Sequence, residues 1–111
     1  MKLESQTLEN GIRVVKLEGK MDIQGVNQVG EEFGSTVEEA AKQIVVDMSA
    51  VSFMASLGMR TLMITARGIN GKGGKMVLLQ PQPLVKEALV TAGIDRLIPI
   101  YDDIETACSA L

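Results

Sequence analysis

The side chain best placed to do chemistry in this 111-residue chain is the hydroxyl of Ser56. It lies where an apolar strand pattern gives way to a helical one, at Ser56-Leu57-Gly58. Backbone N–H groups at a helix start are unpaired and the helix dipole favours negative charge there, so a phosphate on Ser56 would not melt the helix. The alternative is that Ser56 only caps the helix, a role worth about 1 kcal/mol. The local sequence leaves both roles open.

Two aspartates are the other candidates, as a general acid or base or as ligands for a cation. Asp22 follows Gly19-Lys20-Met21 at a predicted strand end, and Asp47 lies at the predicted end of the central strand. Each could equally cap a turn, and Asp47-Met48-Ser49 suits one. A chain with no histidine and one cysteine has no His-based triad and no zinc site of the common kinds. We therefore expect no enzymatic activity, no metal and no cofactor.

The amino-acid composition limits the binding partners and the cellular compartment that we expect for this protein. Fourteen acidic and eleven basic residues are well mixed and leave a net charge of −3, which argues against direct nucleic-acid binding. Cys108 has no second cysteine to pair with, and its apolar neighbours predict a buried small side chain. No apolar run approaches the roughly 18 residues of a membrane span. We expect a cytoplasmic monomer with no membrane insertion.

The elements that must position these residues alternate between strands and helices. Residues 3–8 and 12–17 flank an Asn-Gly pair that predicts a hairpin, with Gly19 ending its second strand. Further strands are predicted at 43–48, 76–79 and 97–101, and the last should be an edge strand because Pro99 cannot donate to a ladder. Alternation of this kind predicts an α/β fold: a mixed central sheet with an N-terminal hairpin and about four helices, in one domain over residues 1–111.

The four predicted helices each show apolar residues three or four apart. Their predicted buried faces are Val26, Val29, Phe33 and Val37; Met59, Leu62, Met63, Ala66 and Ile69; Leu84, Val85, Ala88 and Leu89; and Ile104, Ala107, Cys108 and Leu111. Asp102, with Glu105 three residues later, predicts a capping box before the last helix.

The outer face of the second helix is a candidate docking surface. It carries two apolar residues beside two arginines and a threonine: Leu57, Arg60, Thr61, Ile64 and Arg67. Such a mixture is typical of protein interfaces. An ordinary solvated helix face is the alternative.

Several motifs, in order along nearly the whole chain, carry a family resemblance. Gly19-Lys20-Met21-Asp22 matches a Gly-x-Leu-Asp turn, and residues 45–49 match an apolar strand that ends in Asp-Met-Ser. Residues 51–59 match Val-x-Phe-Met-Asp-Ser-Ser-Gly-Leu, residues 73–78 a Gly-Gly-Lys strand, and residues 82–93 a Pro-x-Val helix that ends in Ala-Gly. The chain resembles a STAS domain of the anti-sigma factor antagonist type. It departs from the pattern at Ala55, where the family has an acidic residue, and at Leu57, which leaves Ser56 as the only acceptor hydroxyl in the motif.

The resemblance implies a STAS fold and a partner switch. In this family an anti-sigma factor that is also a serine kinase binds the unphosphorylated antagonist, phosphorylation breaks the contact, and a PP2C-type phosphatase restores it. By position, the phosphoacceptor is Ser56. The implied partner-binding residues lie in the turn before the first helix and on the second helix: Asp22, Ser56, Leu57, Gly58, Arg60, Thr61 and Ile64.

Two other functions compete with the phosphorylation-switched antagonist. One is a constitutive STAS binding module in a transporter or signalling complex, and phosphorylation of Ser56 would distinguish the two. The other is a small enzyme or nucleotide-binding protein that uses Asp22 and Asp47, which turnover or nucleotide binding would reveal.

Overall fold

The computed structural model describes residues 1–39 and 43–111. Its elements, in order, are β1 Lys2–Thr7, β2 Arg13–Met21, α1 Ile23–Glu39, β3 Gln43–Met54, α2 Ser56–Gly71, β4 Lys75–Leu79, α3 Pro83–Thr91, a 3-10 turn Ile94–Arg96, β5 Ile100–Tyr101 and α4 Ile104–Ser109. The predicted mixed α/β architecture with an N-terminal hairpin and four helices is confirmed. Within these residues no helix has both the length and the apolarity needed to cross a bilayer.

The sheet keeps the strands in chain order, β1-β2-β3-β4-β5, with β5 at an edge as predicted. β1 pairs with β2 antiparallel, and every later pairing is parallel. Gly11 makes the hairpin turn possible with φ of 85°, and the Asn10 side chain accepts a hydrogen bond from Ile12 N at 3.1 Å. Parallel pairing matters for function because it brings the carboxyl ends of neighbouring strands to one edge of the sheet.

Helices cover the two faces of the sheet unequally. The larger core holds Phe33 of α1, Leu62 of α2 and Leu89 of α3, so these three helices share one face. The smaller core contains Ala107 of α4, so α4 covers part of the other face. Ile44 belongs to the first core and Val45, its neighbour on β3, to the second. This assignment follows the alternation of side chains along a strand.

Both central strands are longer than the sequence predicts. β2 continues through Gly19, which adopts φ of 115°, and β3 continues beyond Asp47 to Met54. A shift in the β2–β3 register follows Asp47, whose side chain accepts a hydrogen bond from Ser49 N at 2.9 Å. The Asp-Met-Ser turn therefore exists, but as an irregularity within the strand rather than as its end. The predictions that Gly19 and Asp47 end their strands are wrong.

Four smaller predictions also need correction. Leu84 is 79% exposed, so it does not belong to the buried face of α3. The residue that caps α4 is Asp103, not Asp102, and its side chain accepts from Thr106 N. Residues 97–99 precede β5 rather than form part of it, and Cys108 is half-buried against the smaller core.

Candidate functional site

The site lies where two parallel strands end side by side. Met21 at the end of β2 is paired with Met54 at the end of β3, and each strand leads at once into a helix. Ala55 N donates a hydrogen bond to Met21 O at 3.0 Å, which joins the two strand-to-helix connections. The starts of α1 and α2 therefore meet at one edge of the sheet, with Asp22 before one helix and Ser56 opening the other.

Ser56 is the first helical residue of α2, and the capping position before it belongs to Ala55. Ala55 is extended, with φ of −93° and ψ of 167°, and no side-chain hydrogen bond caps this helix. The hypothesis that Ser56 only caps α2 is therefore wrong. Its side chain is exposed, and the first helical bond runs from Met59 N to Ala55 O. The backbone N–H groups of the first turn thus lie beside a hydroxyl that has no capping task.

Gly58 allows α2 to begin this close to the sheet. A Cβ at this position would lie 2.7 Å from Met54 Sδ and 2.8 Å from Met21 O, and both distances are shorter than real contacts. Gly58 lies on the buried side of α2 and has no side chain with which to contact a partner. Its role is to position Ser56, two residues earlier, which differs from the direct binding role that the resemblance implies for Gly58.

Asp22 immediately precedes α1 and caps its start, rather than lying free in a loop. Its Oδ1 accepts from Gly25 N at 2.8 Å, and its backbone carbonyl accepts from Val26 N at 2.9 Å. Gly25 is needed here because a Cβ would lie 1.9 Å from Lys20 O. The half-buried carboxylate of Asp22 is thus a helix cap located beside the start of α2.

The predicted outer face of α2 is present. Arg60 and Arg67 are exposed, Ile64 is 57% exposed, and Leu57 and Thr61 are half-buried. The Thr61 hydroxyl donates to Leu57 O at 2.9 Å, so its hydrogen atom is used within the helix. The free surface of this face is therefore mainly guanidinium groups and the Ile64 side chain.

Three exposed apolar side chains near the site were missed by sequence reasoning. They are Ile23 at the start of α1, 65% exposed, Phe53 near the end of β3, 51% exposed, and Leu84 at the start of α3. Apolar residues at strand and helix ends look the same in sequence whether they face the core or solvent. Their exposure is set by how the ends of the elements pack.

The structure does not support a pair of catalytic carboxylates. Asp47 is paired with Lys16 on β2, six residues before Asp22, so the two acids are separated by roughly 20 Å. Among the described residues, no group of histidine, cysteine, aspartate and glutamate side chains could hold a metal ion.

Comparisons with known proteins agree on one family. A family model described as STAS domain matches residues 6–107. The chain is 28% identical to an anti-sigma F factor antagonist from Paenibacillus polymyxa, over 91% of this chain and 87% of that protein. It is similar in structure to an anti-sigma factor antagonist from Mycobacterium paratuberculosis, with a TM-score of 0.88 and 24% identity over 98% of this chain and 92% of that one. It also resembles the Bacillus cell fate determinant SpoIIAA in its phosphorylated form, with a TM-score of 0.72 and 19% identity over 99% of this chain and all of that one.

Proposed function

Because this chain belongs to the STAS domain family, we propose that it is an anti-sigma factor antagonist whose partner binding is switched at Ser56. The observation that carries the proposal is the exposed Ser56 hydroxyl at the first position of α2, with no capping task. The proposed partner is an anti-sigma factor with serine kinase activity, and a PP2C-type phosphatase reverses the modification. The protein acts as a monomer in the cytoplasm and is not itself an enzyme.

The physics of the first helical turn supports a switch that leaves the fold intact. A phosphate adds about −1.5 to −2 charges, and the N–H groups and dipole at a helix start favour negative charge. A partner that binds the unphosphorylated surface has no group to compensate the charge of a phosphate on Ser56. Repulsion and desolvation of a few kcal/mol would lower the affinity by two or three orders of magnitude.

Contacts with the partner are proposed on both sides of Ser56. Arg60 and Ile64 present charge and apolar area from α2, and Asp22 and Ile23 do so from the start of α1. Arginine and apolar side chains of this kind commonly supply binding energy at protein interfaces.

The first experiment is intact-mass measurement and peptide mapping of the protein from its native cells under several growth conditions. We expect a phosphate on Ser56 whose occupancy varies. Ser56→Ala should still bind the anti-sigma factor but resist phosphorylation. Ser56→Asp should bind at least tenfold more weakly, with a melting temperature near wild type because its charge suits a helix start. Ser35→Ala is the matched control, since Ser35 is exposed on α1 and lies twelve residues beyond Ile23 at the start of that helix.

A constitutive binding module is the second candidate, favoured by Ala55 at the position where the family has an acidic residue. Ser56 without phosphate in every condition, together with partner binding that Ser56→Asp does not weaken, would establish the constitutive module and refute the switch.

A further inference from the structure

The face of the sheet opposite α1, α2 and α3 contains a cavity of about 430 Å³. Residues of β1 to β4 and the first residue of α4 line it. Val46 and Met48 belong to the larger core, so the alternation along β3 places Asp47, which lines the cavity, on the opposite face. Pockets that hold small molecules commonly measure about 300–1,000 Å³. The cavity therefore has the size of a ligand site, and it is separate from the surface around Ser56.

The walls of this cavity that adjoin the smaller core are apolar. Leu79 is 4% exposed and Val14 is half-buried, and both belong to that core or pack against it. Ile104 lines the cavity from α4 and is 39% exposed. Because α4 has only six residues, it leaves this side of the sheet partly uncovered. The cavity thus offers apolar area to a ligand.

A row of three charged side chains crosses the cavity on neighbouring strands. Glu4 on β1 is paired with Lys16 on β2, and Lys16 is paired with Asp47 on β3. Two carboxylates and one ammonium group leave one negative charge in excess. Within residues 1–39 and 43–111, neither carboxylate forms an ion pair with Lys16, so both remain available to a ligand. A single positive charge on that ligand would balance the row.

The backbone is irregular at two places next to Asp47. The β2–β3 register shifts directly after it, and its Oδ1 accepts a hydrogen bond from Ser49 N at 2.9 Å. Its partner on β4 is Leu79, and the next residue, Gln80, lines the cavity with φ of 51°. No other non-glycine residue in the described part of the chain has a positive φ. Bulges and left-handed residues are common beside binding sites, and here both lie at the rim of one cavity.

We infer that this cavity binds a small amphipathic molecule that carries one protonated amino group. The amino group lies against the carboxylates of Glu4 and Asp47. The apolar part of the ligand lies against Val14 and Ile104. The excess negative charge favours a cation over an anion of the same shape. The site lies on the face of the sheet away from α2, so its occupation does not depend on the proposed switch at Ser56.

The test uses three probes that share one six-carbon chain: hexylamine, hexanol and hexanoate. Hexylamine is protonated at pH 7, as a lysine side chain is. The full chain, labelled with nitrogen-15, is titrated with each probe at low ionic strength and followed by NMR. We expect hexylamine to shift the backbone amide signals of Val14, Asp47 and Gln80. It should bind about tenfold more tightly than hexanol or hexanoate.

Variants separate the charged end of the ligand from its apolar part. Asp47→Asn removes a charge but keeps an oxygen that can accept from Ser49 N, so it should weaken hexylamine binding about threefold or more and leave hexanol binding unchanged. Glu4→Gln removes the other charge from an exposed position and should have the same effect. Ile104→Ser should weaken hexylamine and hexanol alike. Glu31→Gln is the matched control, because Glu31 is exposed on α1, and it should change hexylamine binding less than about twofold.

Several results would overturn this inference. The first is that no probe shifts the amide signals around the cavity, or that hexanoate binds as tightly as hexylamine. Another is that Glu31→Gln weakens hexylamine binding as much as Asp47→Asn and Glu4→Gln do, which would indicate a general effect of net charge. Ser56→Asp should bind hexylamine as the wild type does. Failure of the switch at Ser56 would therefore leave the cavity site standing, and loss of the cavity site would leave the proposed switch standing.

Discussion

Replacing Gly58 by alanine tests whether the start of α2 is held against the sheet as tightly as the structure indicates. The added methyl group would lie 2.8 Å from Met21 O and 2.9 Å from Met21 Cβ, besides the contact with Met54 Sδ. The thioether of Met54 is the flexible end of a side chain and can move. The carbonyl of Met21 cannot move freely, because it accepts the hydrogen bond from Ala55 N.

The expected loss of stability follows from two opposing effects. Overpacking a well-packed site costs about 1–3 kcal/mol. Alanine in place of glycine returns up to about 1 kcal/mol of helix propensity. Because the added methyl group meets a backbone carbonyl that is held in place, the cost should lie near the upper end of that range, and the net destabilisation should be about 1–2 kcal/mol. At roughly 4–8 °C per kcal/mol for a small domain, the melting temperature should fall by roughly 4–16 °C.

Urea denaturation of the wild type and the variant measures this free energy of unfolding directly. Gly68→Ala is the matched control on the same helix, because a Cβ at the exposed Gly68 would meet nothing within 4 Å. It should stabilise the protein by about 0.5–1 kcal/mol. A Gly58→Ala variant that is as stable as Gly68→Ala would refute the close approach of α2 to Met21 and, with it, the placement of Ser56.

Two further predictions concern the helix caps. Asp22→Ala should destabilise the protein by about 1 kcal/mol, because Gly25 N loses its acceptor, whereas Asp22→Asn should keep the cap; equal urea midpoints for the two variants would contradict the capping role. The Thr106 backbone N–H and hydroxyl donate to Asp103 and hold its pKa below the usual value. The folded state therefore favours the ionised carboxylate, so this contribution to stability is present above the unfolded pKa of about 4 and is lost as pH falls through the folded value. Asp103→Ala should consequently be less stable than wild type at pH 7 and closer to it near pH 3, and a gap in thermal midpoints that does not narrow on acidification would refute this assignment.

The sequence by itself determined the order of the elements and the location of Ser56 at the start of a helix. Apolar spacing of three or four residues marks the buried faces of α1 and α2, because only one side of a surface helix meets the core. The Asn10-Gly11 pair specifies the hairpin, because Gly11 accepts the positive φ of the turn and the Asn10 side chain accepts a hydrogen bond from Ile12 N. Ser56 at the start of a helix and the glycine-containing motifs around it are local signals. They can therefore be recognised in the sequence without knowledge of the tertiary packing.

Tertiary structure alone decided how far each strand runs and which side chains remain exposed. β3 continues to Met54 because β2 pairs with it along its whole length, and a local pattern carries no information about a partner strand. That extension makes Ala55 the capping residue and leaves the Ser56 hydroxyl free. Leu84 has the same apolar character as Val85, and only the packing of α3 against the core separates the exposed one from the buried one. The proposed docking surface thus depends on long-range contacts, which the linear sequence does not display.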